Sequence, residues 1–371
     1  MAETTRIAIV HERLTEPGGS EQVVEQLARE WPSARVYVPI ADDSSDFAEL
    51  RARASVTWLD DVHRLTGRGS HAPLLPAFAL AFSRLRFDEP DVVVISHHSL
   101  AVAAVNATEA PTVAYVHSPA RWAWDTQMRR REASGPSGRA ALAGLAALAR
   151  RVESKAAPKI TTVVANSNEV RDRIALRWNR DSVVVHPPVD TDFYTPDATV
   201  EREDFFLLAG RLVPYKQPHL AIAAAHSAGV RLMVAGDGRM SEMCRAIAGP
   251  ETTFLDRVSD EEMRSLQRRA RALLMPGVED FGIVPVEAMA CGTPVIATGL
   301  GGALDTVLPG ITGRLVEPGA EADVIAGFTS AIRDFDDGTY DSAAIRKHAE
   351  QFSREHFRAK MREIVDAAAA H

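Results

Sequence analysis

The sequence predicts an α/β protein built as two Rossmann-like parallel-sheet domains, and three observations carry that expectation. Short apolar runs recur along nearly the whole chain with helical patterns between them, the signature of parallel strands covered by helices on both faces. The alternation halts at residues 187–192, PPVDTD, and then starts afresh. The length, 371 residues with 46% apolar and 25% charged side chains, suits two globular domains of ordinary size. The boundaries that follow are 1–189 for the first domain, 190–203 for a linker rich in Pro, Asp and Thr, and 204–352 for the second.

The first strand is expected over residues 6–10, RIAIV. It leads into Pro17, Gly18 and Gly19, a break after which Ser20 is placed to N-cap a helix over 21–30. A strand, a glycine loop and a helix start can cradle phosphate, although a tight turn with no ligand has the same pattern. Further strands are expected over 35–38, 91–95, 112–116, 161–165 and 182–186, with a long helix over 139–157. Ligands of such sheets sit at the carboxyl ends of strands. That rule selects His97, His98, His117 and the pair Asn166 and Ser167. His117 ends a strand and precedes Ser118 and Pro119, so it can offer a hydrogen bond to a sugar hydroxyl near neutral pH. Trp122, Trp124 and Asp125 follow and could stack on a sugar or pack in the core.

In the second domain a strand over 205–209 runs into GRLVPYK. Arg211 and Lys216, five apart in that loop, can reach one ligand, the first with a planar fork and the second with a mobile point charge. A strand over 231–235 ends in Gly236, Asp237 and Gly238, close to a dinucleotide fingerprint with Asp256 as its acid but without the third glycine. The stretch EDFGIVPVEAMACGTPVIAT, residues 279–298, reads as loop, helix, turn and strand, following a strand over 272–275. Gly282 lets the amides at the helix start approach an anion. Glu279 and Glu287 bracket that position. Carboxylates repel an anion, so they are read as grips for hydroxyl groups on either side of a phosphate, which together describe a nucleotide-sugar. Helices are expected over 320–334, 342–351 and 353–369.

The net charge of −8 is uneven: +1 over residues 1–189 (23 basic, 22 acidic) and −9 over 190–371 (19 basic, 28 acidic). Residues 121–159 hold nine basic and three acidic residues, which suits an anionic lipid or diphosphate acceptor better than a nucleic acid. Cys244 and Cys291 lie too far apart for a disulfide framework, and the N-terminus lacks a signal-peptide pattern, so a cytoplasmic protein is expected. The apolar run 74–82 is too short to span a bilayer. Asp190 and Asp192 form a D-x-D of the kind that binds Mg or Mn, but in a Pro-bounded segment, and no metal is assigned.

The glycine loop, His117, GRLVPYK, GDG and the E-x7-E stretch together resemble the family-4 retaining glycosyltransferases of GT-B fold, over nearly the whole chain. The resemblance implies two Rossmann-like domains facing across a cleft, with the acceptor held by the first and the nucleotide-sugar by the second. It implies that Arg211 and Lys216 bind the donor diphosphate with Phe281, Gly282, Ile283 and Val284, that Glu279 holds the transferred sugar and that Glu287 holds the ribose. Gly236, Gly238 and Val258 join the donor set, Gly18 and Gly19 close over the phosphates, and His117 contacts the donor sugar near the reaction centre. The helix within 353–371 would pack back on the first domain. The run YVHSPARWAWD resembles bacterial mannosyltransferases of O-antigen and related polysaccharide assembly, which implies GDP-mannose as donor. Arg211, Lys216 and the helix N-termini supply the positive charge at the diphosphate, so no cofactor is expected to be required. The apolar run 74–82 and the basic stretch 121–159 favour a glycan or lipid-linked acceptor met in peripheral contact with the inner membrane face. Asp256 stands where the family often has glycine, near the base. The alternatives are a UDP-sugar-dependent transferase, a sugar-nucleotide epimerase, an NAD-dependent oxidoreductase and a non-catalytic nucleotide-sugar-binding protein.

Overall fold

Thirteen strands form two all-parallel sheets among the residues that the computed structural model describes, which are 5–16, 18–42, 48–126, 129 and 135–370. Pro17 and, within the basic stretch 121–159, residues 127, 128 and 130–134 lie outside the described residues. The first sheet contains β1 (Ile7–His11), β2 (Arg35–Val38), β3 (Ala54–Val56), β4 (Val92–His97), β5 (Thr112–Val116), β6 (Thr162–Ala165) and β7 (Val183–Val184), in the order β3-β2-β1-β4-β5-β6-β7. The second contains β8 (Phe206–Ala209), β9 (Leu232–Ala235), β10 (Thr252–Asp256), β11 (Leu273–Met275), β12 (Val295–Thr298) and β13 (Gly313–Val316), in the order β10-β9-β8-β11-β12-β13. Each order reverses once, between β1 and β4 and between β8 and β11. A crevice opens there at the carboxyl edge, because the connections leave the two central strands in opposite directions.

The central strands of both sheets are buried on both faces, so they are continuously apolar and alternate residues enter opposite cores. In the first, Ala8, Val10, Val93 and Ile95 pack on one face while Ile7, Ile9, Val92 and Val94 pack on the other. In the second, Phe206, Leu208 and Leu274 meet Leu220, Ile222 and Phe328 of two covering helices, and Leu207, Leu273 and Met275 face Val286 and Met289.

The chain divides into one unit of Met1–Pro188 with Glu355–His371 and a second of Val189–Arg354. Helix Arg354–Ala369 places Phe357, Met361 and Val365 against Val23, Val24 and Leu27 of helix Gly19–Glu30, within the first unit. Arg362 forks onto Glu30 at 2.5 and 2.9 Å beside them. Those three apolar side chains contribute roughly 5–9 kcal/mol by area.

Several expectations are corrected. Residues 190–203 are not a linker but part of the second unit. Tyr194 is buried there, and Arg346 donates to the carbonyls of Thr191 and Tyr194, each at 2.7 Å. Pro and Asp build turns, and turns whose carbonyls are held by an arginine belong to a fold. Asp190, the first residue of the D-x-D, accepts the Phe193 amide at 3.1 Å and pairs with Arg354 at 2.5 Å. Ser20 does not cap its helix: the N-cap is Gly18, in extended backbone, and the Ser20 hydroxyl donates to Glu21 instead. The run 74–82 gives Phe78 and Phe82 to the core and leaves Leu80 exposed. No helix is long and apolar enough to cross a membrane among the described residues.

Candidate active site

In the second unit the charged side chains gather where its sheet order reverses. Past β8, Val213 leads into a tight turn over Pro214–Lys216, which lifts Lys216 back over the strand end. Past β11, Pro276 and Gly277 carry the chain to Glu279. The Lys216 ammonium meets the Glu279 carboxylate at 2.8 Å, with both side chains about one-fifth exposed (18% and 22%). Burial disfavours the Lys216 charge, but Glu279 outweighs it, and the amine is raised above its ordinary value. Arg211 is exposed beside them and donates to the Tyr215 hydroxyl at 3.0 Å. A crevice of about 20 Å³ between the two strand ends is lined by Gly210, Arg211, Lys216, Gly277 and Glu279. Lys216 and Glu279 thus sit together at one mouth, cation and hydroxyl acceptor side by side.

Glycines set how closely those loops approach. A Cβ on Gly277 would fall 2.5 Å from the Lys216 Cα, so only glycine lets the two loops meet. Gly236, at φ +140°, takes a left-handed conformation and would put a Cβ 2.0 Å from the Gly210 carbonyl oxygen. The Gly238 amide is engaged by Asp237 at 2.7 Å and Ser241 at 3.0 Å. Asp256, the acid of the near-fingerprint, pairs with Arg245 at 2.5 Å.

Helix Ile283–Ala290 begins at Gly282, which has no side chain to cap it, so the first-turn amides of Ile283 and Val284 face out of the helix end. Gly302 donates to the Glu279 carbonyl at 2.9 Å, tying this loop to the turn after β12. The Phe281 ring is buried against Phe352, so only its backbone can meet a ligand, and Val258 is half-buried against the same core. Glu287 is 9% exposed, and its carboxylate has no hydrogen-bond partner among the described residues. Burial, reinforced by the Asp260 charge, lifts it to about 7, while Lys216 pulls the other way. The cavity of about 710 Å³ bordered by Arg202, Arg268, Cys291 and Arg346 carries no such chemistry: these arginines are committed to backbone carbonyls.

In the first unit His117 follows β5 and is half-buried. Its Nε2 lies 2.9 Å from the Ser96 hydroxyl, which also meets His11 Nδ1 at 3.0 Å. Burial and the neighbouring histidines hold His117 well below the ordinary imidazole range. Burial brings His98 down to about 4. His97 is fully buried between Glu12 (3.3 Å) and Glu153 (3.0 Å). Burial disfavours its charge, the two carboxylates win, and it rises to about 9. The Val102 amide, 3.4 Å from the same ring nitrogen as Glu12, is the longer contact and yields to the carboxylate. Glu12 Oε1 also accepts the amides of His98, Ser99, Leu100 and Ala101, at 2.8–3.2 Å. Glu153 takes the Ala120 amide at 2.7 Å and the indole N–H groups of Trp124 and Trp178. Gly18 and Gly19 are exposed at the start of their helix. Sequence reasoning missed His11, Glu12, Ser96, Glu153 and Gly277. The first three lie at the carboxyl ends of β1 and β4, so the strand-end rule could have found them.

Comparison with known proteins gives the chain its family. The model described as Glycosyltransferase Family 4 matches residues 17–193, and that of Glycosyl transferases group 1 matches 193–351. The D-inositol 3-phosphate glycosyltransferase of Mycolicibacterium smegmatis is 35% identical over 198 residues, covering 47% of this chain and 44% of that protein. Its counterpart in Mycobacterium tuberculosis is 36% identical over 189 residues, covering 44% and 39%. The match thus spans less than half the length of these relatives. Among solved structures, Anabaena HepE in complex with UDP superposes with a TM-score of 0.73 at 19% identity, covering 98% of this chain and 100% of that one. The sucrose-phosphate synthase of Thermosynechococcus elongatus does so at 0.72 and 18% identity, covering 99% of each. Two domain models that meet at residue 193 and run together from 17 to 351, on the two-sheet fold these structures share, make this chain a member of the family-4 glycosyltransferases of GT-B fold.

Proposed function

We propose that the protein is a retaining hexosyltransferase that moves mannose from GDP-mannose to a hydroxyl of a glycan or lipid-linked acceptor, working in the cytoplasm in peripheral contact with the inner membrane face. The observation that carries the reading is the Lys216–Glu279 pair at the sheet's reversal point, beside the uncapped start of helix Ile283–Ala290. A diphosphate placed there would meet Lys216, Arg211 and the first-turn amides, which stabilise the negative charge that develops as the anomeric C–O bond breaks. These groups supply the positive counter-charge without a metal ion. Glu279 accepts from hydroxyls of the transferred sugar and Glu287 from the ribose. The acceptor oxygen bonds to the anomeric carbon on the face the diphosphate leaves, and the acceptor's proton passes to the departing phosphate oxygen. His117, Gly18 and Gly19 act from the first unit on the sugar and phosphates.

GDP-mannose is supported by the YVHSPARWAWD run. A UDP-sugar is the second reading, supported by the UDP and UDP-glucose complexes of HepE, whose fold this chain shares. A thermal-shift screen across GDP-, UDP- and ADP-sugars, followed by transfer assays with the donor that stabilises most, decides between them. Lys216→Ala and Glu279→Ala are each expected to lower transfer about 100-fold or more. Unchanged transfer in both variants would remove the site assignment, and stabilisation by UDP-sugars alone would replace the donor.

A further inference from the structure

His117 is the outer end of a chain of four side chains whose two middle members are buried. Its Nε2 meets the Ser96 hydroxyl at 2.9 Å, Ser96 meets His11 Nδ1 at 3.0 Å, and His11 Nε2 meets Glu21 Oε1 at 3.3 Å. Ser96 and His11 are fully buried, at 0% exposure, so the bond between them is shielded from solvent. The far end is fixed. Glu21 accepts the Ser20 hydroxyl on Oε2 at 2.8 Å and meets His11 Nε2 on Oε1, and as a carboxylate it can only accept. His11 must then carry its proton on Nε2. An imidazole whose one proton is on Nε2 has Nδ1 as an acceptor, and the Ser96 hydroxyl then donates to it. The Ser96 oxygen is left to accept, so the proton of His117 sits on Nε2.

We infer that Glu21, His11 and Ser96 are positioning residues that set the tautomer of His117, holding it as Nε2–H so that Nδ1 presents a lone pair to a substrate hydroxyl. The inference rests on the assignment of His117 to the reacting sugar. It gives helix Gly19–Glu30 a task besides phosphate binding, because the residue that fixes the polarity of His117 stands in that helix's first turn. It also sets a sense for recognition: His117 accepts from a sugar hydroxyl and does not donate to it. A doubly protonated His11 would keep its bond to Glu21 and reverse the two beyond it: His11 Nδ1 would donate to Ser96, Ser96 would donate to His117 Nε2, and the proton of His117 would sit on Nδ1. The groups facing this chain are His98, 6.2 Å from both the His11 and His117 rings, the Tyr115 ring at 5.2 Å from His117, and Glu21.

Two measurements on the full chain test this. Nitrogen-15 spectra of the imidazoles, with the His117 signals identified by their loss in His117→Asn, are expected to show protonated Nε2 and bare Nδ1 at pH 7.5. Ser96→Ala should turn His117 into a mixture of tautomers and lower kcat about tenfold, as loss of one directed hydrogen bond implies, with KM little changed. Ser96→Thr, which keeps the hydroxyl, should restore both the spectrum and the rate. A wild-type His117 protonated on Nδ1, or one whose tautomer ignores Ser96→Ala, overturns the inference. Full activity in His117→Asn strikes the site assignment instead, and the spectra still decide whether the chain sets the tautomer.

Discussion

Replacing Glu287 with glutamine isolates what the buried carboxylate does to the fold. Burial, with Asp260 and then Asp190 opposing its charge, lifts the group from 4.5 to about 7, against the pull of Lys216 and Arg354. The native state therefore holds this proton more tightly than the unfolded chain, and between pH 4.5 and about 7 it binds more protons. Stability falls as pH rises through that window. Below 4.5 both states are neutral and nothing is lost. Above 7 the loss is complete and, at about 1.4 kcal/mol per pH unit, comes to about 3 kcal/mol. Glutamine has the shape of the neutral acid and never ionises. Glu287→Gln is therefore expected to melt roughly 6–12 °C above the wild type at pH 8, for a unit of this size. The gap should narrow to roughly 2–4 °C at pH 5, where the loss has shrunk to about 1 kcal/mol. Scanning calorimetry of both proteins at four pH values reads this directly, and adding the donor nucleotide-sugar should raise Tm in the wild type far more than in the variant. A gap that does not change with pH, or a wild type that is the more stable at pH 8, refutes the reasoning, because the native carboxylate would then already be solvated or paired.

Gly277→Ala forces a Cβ to 2.5 Å from the Lys216 Cα, so the Lys216 loop must move. Donor KM should rise about tenfold, as expected when a charge-assisted contact is lost, while Tm falls by a few degrees at most; an unchanged KM, read by steady-state kinetics, would mean that Lys216 does not hold the donor. In the first unit, Glu153→Leu leaves His97 facing Glu12 alone and strands two indole N–H groups, so the unfolding free energy should fall by about 3–5 kcal/mol in urea titrations. The wild-type pH profile follows from His97, raised from 6.5 to about 9: the stability it brings is fully present below pH 6.5 and lost as pH rises through 9, by about 3 kcal/mol. His97→Gln should flatten that decline, and an equal decline in the variant would place the titrating group elsewhere.

Much of the fold was legible in the sequence because doubly buried parallel strands must be apolar on both faces, which leaves runs such as those of β4, β5 and β12 with little else they could be. Two edge strands were not legible. Ala54–Val56 and Gly313–Val316 are only partly buried, and ARASVTWL and TGRLVEPG carry too much polar content to read as strands. The residues 190–203 misled for a related reason: composition reports turns, and an ordered turn has the same composition as a flexible one. At the site, Lys216 and Glu279 could be paired in advance because each follows a strand, and strand ends share one edge. Gly277 could not, since its role depends on how near two loops come, a distance that no pattern encodes. Glu153 was hidden differently. It lies in a basic helix where a lone carboxylate looks like surface, and its partners His97, Ala120 and Trp178 come from separate segments.

The return of helix Arg354–Ala369 to the first unit has a consequence for how the protein is made. Residues 355–370 leave the ribosome only after all of the second unit has emerged, so Val23, Val24 and Leu27 wait uncovered while Val189–Arg354 folds as a contiguous piece. During synthesis the later unit can reach its native state first, and the earlier one is finished last. Expression of the isolated first half should therefore yield aggregation-prone material unless residues 355–370 are supplied with it, whereas the second half is open to excision as a single segment.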